Sequence, residues 1–489
     1  MTADVAGLWA ALTGVRDDPV LTTLDLPDGP QLLPSVHRVR AAALATVATA
    51  TLAVAVFGAE RTGGPGAVPP PVRVGGREAE VAFRSERYLR LDGRTGRLWE
   101  PLSGDYRSVD GWVRLHANFA HHVDAACRAL EVPPRRDAVA AALARWRAVE
   151  AEDAVIAAGG AAGALRTAQE WADHPHRAVL AARPVIDVRR IDGSTPAVGA
   201  RTAVPPTGRG GRPGRPLAGL RVLDLTRMIA GPVAGRVLTS WGADVLAVRG
   251  PHLPTVPWLD LDNGFGKRWR LLDLRAADDR DAFLTLVRRA DAVVQSYRPG
   301  ALDRWGLGAS DLAAVRPGLG HVSVSAYGDT GPWAGRRGFD SVVQLVTGLA
   351  DTAMRATGSD RPVPLPGQVL DHAAGWLAAA GVVETVRRAR RDGGSWRADV
   401  TLAGVAGWLD GLGRVDAATV AATPDPGLDD VADLLTGMHT SAGLLRYVRP
   451  PGTIGRTAPL WESPSPFPPP DPVTPDPVTR EPAEPEPRP

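Results

Sequence analysis

Beyond residue 216 the chain alternates short apolar runs with longer amphipathic ones. Residues 220–225 (LRVLDL) and 243–248 (ADVLAV) are β-prone, and the stretch between them, 231–241, reads as a helix. Further strands are predicted over 270–274, 292–296 and 321–325 (HVSVS), with helices over 279–289 and 311–315. Strands separated by one helix each imply βαβ units and a parallel sheet. This half is therefore read as α/β with a Rossmann-like parallel sheet. The first half differs. Helical periodicity over 36–57, 121–130, 137–149 and 151–158 surrounds short strand candidates at 81–84 and 112–115, without alternation. It is read as a smaller mixed α+β domain that closes over the sheet.

Three breaks in composition divide the chain. Residues 202–215 (TAVPPTGRGGRPGR) lack apolar periodicity and read as a linker, and 63–71 form a shorter break of the same kind. From Ser463 onward proline and scattered acids leave nothing to bury, so that tail is predicted to be disordered. The division is then residues 1–200, a linker at 201–216, the α/β half at 217–415, a C-terminal extension at 416–462 and a tail at 463–489.

Composition changes this picture in a few places only. A chain of 489 residues has room for two to four domains, and a net charge of +2 announces no nucleic-acid partner. Every basic residue is arginine except Lys267, so a lone arginine carries little information and the one lysine carries some. The lone cysteine, Cys127, rules out an intramolecular disulfide framework and fits a reducing compartment; its helical, apolar setting reads as core packing. Residues 41–59 run without a charge, but Ala and Thr dominate them, so a buried soluble helix is preferred to a membrane span. No basic region precedes an apolar stretch at the start, so no signal peptide is read. The expectation is a cytoplasmic protein without membrane or nucleic-acid partners.

The candidate chemistry lies in the α/β half. The loop after the first strand, residues 224–232 (DLTRMIAGP), lacks the G-x-G-x-x-G of dinucleotide sites; it offers Arg227 and free backbone N–H groups at a helix start, which suit a phosphate or an adenine edge. Asp371 opens a helix of small residues and can act either as a covalent nucleophile or simply as an N-cap. His116, His121, His122 and Asp124 are not read as a metal site, because adjacent histidines diverge on a helix and no further ligand completes a set.

Residues 216–410 resemble the family III CoA-transferases (the CaiB/BaiF family). The resemblance lies in motifs that follow one another in order. These are PLAGLRVLDLTRMIAGPVAGRVLTSWGADVLAV, then Asn263 to Arg268 with Leu272-Asp273-Leu274, then 290–293 with 299–307 (PGALDRWGL). Ser325 to Gly328, Gly331-Pro332, Gly338-Phe339-Asp340 and Asp371 before Gly375 complete the series. The resemblance implies a CoA-transferase moving coenzyme A between an acyl-CoA and a free carboxylic acid, with Asp371 as nucleophile and an aspartyl-CoA intermediate. Coenzyme A would be a substrate, with no permanently bound cofactor. It also implies CoA contacts at Arg227, Ala230, Ser296, Tyr297, Arg304 and Arg337, although the family carries Asn at the position of Ser296. Residues 110–119 and 166–175 resemble the family's small domain, which normally follows the Asp helix; here the halves are in rearranged order. A helix over 35–61 resembles a second Asp helix in which Val39 or a neighbour stands in place of the acid. Either a homodimer or a pseudo-dimeric monomer is compatible with such a chain. An acyl-CoA racemase on the same scaffold would carry histidine where Phe339 stands, and a non-catalytic acyl-CoA-binding protein is the remaining alternative.

Overall fold

A computed structural model describes residues 2–191 and 214–467. Of the predicted linker, 201–213 lie outside the described residues. The centre is a seven-stranded sheet: β1 (Ile186–Arg190), β2 (Arg221–Leu225), β3 (Asp244–Arg249), β4 (Arg268–Leu271), β5 (Ala292–Gln295), β6 (Gly320–Ser325) and β7 (Trp396–Thr401), in spatial order β4-β3-β2-β5-β6-β7-β1. All neighbours are parallel except β7 and β1, which are antiparallel. The fold is α/β, as the alternation implied.

Both faces of the central strands β2 and β5 are covered, which is why neither carries a solvent-facing side, whereas the edge strand β4 is exposed along its length. In β2, Val222 faces one core, while Leu223 and Leu225 face the other; in β5, Ala292 and Val294 oppose Val293 in the same way. Six helices matter for the site: α1 (Val39–Gly63), α2 (Ala120–Leu130), α3 (Ala230–Ser240), α4 (Pro257–Asn263), α5 (Asp340–Val346) and α6 (Val369–Asp392). Helices α1, α3 and α6 pack together in the larger core, with α6 lying on β5, β6 and β7. Gly375 permits the closest of these approaches. A Cβ there would stand 2.5 Å from the Ala230 carbonyl and 2.7 Å from Val233 of α3.

Helix α1 is long and apolar enough to cross a bilayer, but 89% of its most apolar window is buried inside the fold. Its threonines satisfy their hydroxyls on carbonyls one turn back, as Thr46, Thr49 and Thr51 do at 2.8–2.9 Å. A weakly hydrophobic helix is thereby suited to a protein interior.

Two expectations are corrected here. The run 81–84 is not a strand: Val81 lies in a helix, Gly76–Ala82, whose buried Glu80 accepts from the N–H groups of Leu32 and Leu33. A run of four apolar-rich residues cannot separate the two periods. The first half is not one closing domain either. A separate small core is built by the strands Gly104–Arg107, Trp112–Leu115 and Ala162–Ala164 with α2 and its neighbours, whereas α1 enters the main core and β1 joins the sheet. The C-terminal extension is woven into the N-terminal half as well. Gly443–Val448 pairs with Arg90–Leu91, and Thr453–Ile454 with Val72–Arg73.

The first residues of the predicted tail are also ordered against the fold. Gly266 N–H donates to Ser463 O (3.0 Å), Ser465 Oγ donates to Asp260 O (2.9 Å), and Phe467 is 5% exposed beneath the Arg249 guanidinium, 3.9 Å from the ring centroid. Deleting residues 468–489 is expected to leave the urea midpoint in place. Deleting 463–489 should cost about 1.5–3 kcal/mol, the worth of one buried aromatic side chain. Equal midpoints for the two truncations would show that Phe467 contributes nothing.

Candidate active site

The order of the strands reverses between β2 and β5, which leaves a crevice at their carboxyl ends. A cavity of about 450 Å³ occupies it, walled by the segments that follow β2, β3, β5, β6 and β7 and by the start of α6. All seven residues singled out from the sequence line this cavity: Arg227, Ala230, Ser296, Tyr297, Arg304, Arg337 and Asp371.

The loop after β2 is shaped from its first residues. Asp224 accepts from the Thr226 N–H (2.9 Å) and hydroxyl, which turns the chain at the end of the strand. Met228 then adopts φ 75°, a left-handed conformation that costs a non-glycine residue about 1–2 kcal/mol. Asn263 at the end of α4 donates to the Met228 carbonyl (3.1 Å) and fastens that turn. Arg227 is thereby directed along the wall, donating to Pro254 O (2.7 Å) and standing 5.4 Å over the Phe119 ring. Burial holds its guanidinium pKa below the ordinary value.

After β5, the Gln295 side chain accepts from the Tyr297 N–H (2.7 Å) and donates to Ser323 Oγ (2.5 Å), presenting Ser296 and Tyr297 at the strand's end. Arg304 stacks on Trp305, 4.4 Å from its centroid. Arg337 donates to Gly159 O, and Arg336 to Glu152, which also holds Arg166 at 2.6 Å. These two arginines tie the loop before α5 to the small domain as well as lining the cavity.

Asp371 is the third residue of α6, not its cap. The helix begins at Val369, and its free N–H groups are met by another acid: Asp340, at the first position of α5, accepts from the Asp371 N–H (2.9 Å), from Leu370 and from Gln344 Nε2. Among the described residues none hydrogen-bonds the half-buried Asp371 carboxylate. A helix start ordinarily favours an ionised carboxyl, and here the balance is reversed. Burial lifts its pKa well above the ordinary carboxylate range, and the charges of Asp340 and Glu86 lift it further. Burial likewise raises Asp340 to about 6, against the hydrogen bonds that it accepts.

The small domain contributes to the cavity through α2. His121 and His122 line it, their rings 4.1 Å apart, and buried His116 stacks face to face on Phe339 at 3.5 Å. Burial pushes His122 down to about 3, and the adjacent His121, Arg337 and Arg227 act in the same direction. The sequence speaks against a metal site here but does not foretell the place of these rings on the cavity wall. The doublet of histidines after Asn118-Phe119 was the available signal.

The fold and the site together define an α/β protein with an arginine-lined crevice at the switch point of its sheet. Residues 217–439 match the description of CoA-transferase family III. The chain is 36% identical over 194 residues to the probable fatty acyl-CoA transferase Rv3272 of Mycobacterium tuberculosis, covering 37% of this chain and 49% of that protein. It is 32% identical over 202 residues to the succinyl-CoA–L-malate CoA-transferase alpha subunit of Chloroflexus aurantiacus, covering 38% and 46%. A crystal structure of a CAIB/BAIF family protein from Brucella suis aligns at 26% identity and TM-score 0.36, covering 47% of this chain and 65% of that one. The chain thus spans about half the length of the curated relatives it matches.

Proposed function

We propose that this chain transfers coenzyme A from an acyl-CoA to a free carboxylic acid, with Asp371 as the covalent nucleophile. One observation carries the reading: Asp371 stands in the cavity wall with a carboxylate that caps nothing and pairs with nothing among the described residues, while Asp340 does the capping. A carboxylate whose charge is poorly stabilised loses little when it gives up that charge to an acyl carbon.

The sequence of steps balances. The Asp371 carboxylate attacks the thioester carbonyl, giving a mixed anhydride and CoA thiolate. The thiolate attacks the aspartyl carbonyl, releasing the donor acid and leaving an aspartyl-CoA thioester. The acceptor carboxylate attacks that thioester, and the expelled thiolate takes the acceptor's acyl group, which restores Asp371. Arg227, Arg304 and Arg337, with Ser296, Tyr297 and the backbone at Ala230, would receive the phosphates and nucleotide of CoA; guanidinium forks match phosphate oxygens. Phe339, stacked on His116, occupies the place where an isomerase of this scaffold would keep its base.

The test is a mass-spectrometric screen of purified protein against pairs of acyl-CoA and free acid. New acyl-CoA formed only when an acid is present supports transfer. Hydrolysis alone, or CoA binding without any exchange, overturns it.

A further inference from the structure

The chemistry above uses only the α/β half, yet the first turn of α6 rests on the other half of the chain. The short helix Ser85–Tyr88 lies beneath it. Glu86 Oε2 accepts from His372 Nε2 at 3.0 Å, and both side chains are buried. Phe83 stacks on the same imidazole with centroids 5.5 Å apart. The turn that enters α6 is seated on the same segment, since a Cβ on Gly367 would stand 3.1 Å from Arg84 Cγ and 3.3 Å from Phe83 O. Glu86 is itself anchored, its carbonyl accepting from Trp258 Nε1 (3.2 Å) and its neighbour Ser85 donating to Asp262 (2.7 Å).

We propose that Glu86 and His372 are positioning residues for Asp371, so that the N-terminal half takes part in the reaction assigned to the other half. This rests on the reading of Asp371 as nucleophile. His372 follows Asp371 directly, and its ring is held from both face and edge. The Glu86 clamp therefore fixes the rotation of the first turn and with it the direction of the Asp371 side chain.

Glu86 also contributes a charge. Burial would raise its own pKa, but the hydrogen bond and charge of His372 more than offset that, so its carboxyl lies below the ordinary value and is ionised at neutral pH. The groups around the first turn of α6 are Asp340 on α5, Asp262 on α4, Arg236 on α3, and Arg84 and Arg87 beside Glu86. Arg236 is already committed to Asp262 at 2.6 Å and Arg84 to Asp425. The Glu86 charge is therefore felt at Asp371 as a further obstacle to ionisation.

The experiment is the pH profile of kcat/KM for wild type, Glu86→Gln and Glu86→Asp. In wild type the rate rises with pH as Asp371 ionises. Glu86→Gln is expected to move that acid limb down by about one pH unit, the effect of removing a nearby like charge. It should also lower kcat about tenfold with KM for the acyl-CoA little changed, because a misdirected nucleophile is penalised in the reacting state. Glu86→Asp keeps the charge but not the reach, so the limb should return towards wild type while kcat stays low. An unmoved limb in Glu86→Gln overturns the proposal. Should that variant fail to fold, His372→Asn removes the clamped ring; kcat within about threefold of wild type would then overturn it. Hydroxylamine trapping on the wild-type enzyme keeps the two readings apart. If Asp371 is not the residue trapped, the nucleophile assignment falls; if it is trapped and the variants behave as wild type, only the positioning role falls.

Discussion

Asp371→Asn is expected to lower turnover at least about a thousandfold, on the order of 4 kcal/mol in barrier, because an amide cannot form the anhydride. Asp371→Ala should do the same. CoA affinity should persist in both, since Arg227, Arg304 and Arg337 are untouched. The asparagine variant separates chemistry from structure in a second way. Asp371 has a raised pKa in the fold, so its contribution to stability is lost as pH rises through that value, above which its buried charge opposes folding. Removing the ionisable group should therefore leave the protein at least as stable as wild type on the alkaline side of that transition. A residue kept for structure would show the opposite pairing, with lost stability and retained turnover. Hydroxylamine added during turnover should mark the peptide containing Asp371 as a hydroxamate. An asparagine variant that keeps more than about a tenth of the wild-type rate would move the covalent role to another residue.

The contrast between the two halves explains what could be read in advance. From Arg221 to Ser325 each strand is followed by its own helix, so local periodicity carries the topology, and the cavity residues fall where strand ends must fall. The other half is built from distant pairings. β1 joins the sheet antiparallel to β7, some two hundred residues away in sequence, and Arg90–Leu91 finds its partner at Leu445–Arg446. Nothing local to Val185–Arg190 announces an edge strand, and its arginines and aspartate read as surface. Glu86 was illegible for a similar reason. It lies in Ser-Glu-Arg-Tyr, a charged four-residue helix that reads as solvated, and only the fold shows His372 above it. Asp340 was visible inside the Gly-Phe-Asp motif, but its service to the start of α6 requires two helices to be brought together. Burial also reversed the electrostatics of Asp371, because a helix start whose N–H groups are already occupied does not favour a second anion.

Lys267, the single lysine among 56 basic residues, is where composition and structure meet most directly. It is buried just before β4, and its Nζ donates to Asp224 Oδ2 and to Pro232 O, each at 2.8 Å. Asp224 in turn accepts from Thr226, so one ammonium group joins β2, the cavity loop and the first turn of α3. The space is narrow: a Cβ on Gly235 would stand 2.7 Å from both Cε and Nζ of Lys267. A compact ammonium fits there and a planar guanidinium fork does not, which accounts for a lysine in a chain that otherwise uses arginine. Lys267→Met is expected to destabilise the protein by about 3–5 kcal/mol, because it leaves the Asp224 carboxylate buried without its cation. Lys267→Arg should also destabilise, through overpacking against α3, by about 1–3 kcal/mol. Adding Asp224→Asn to Lys267→Met should recover part of the loss, since the stranded charge is then gone. Urea denaturation of the four proteins measures all of this. If Lys267→Met and wild type unfold at the same midpoint, the ion pair does not hold the cavity loop.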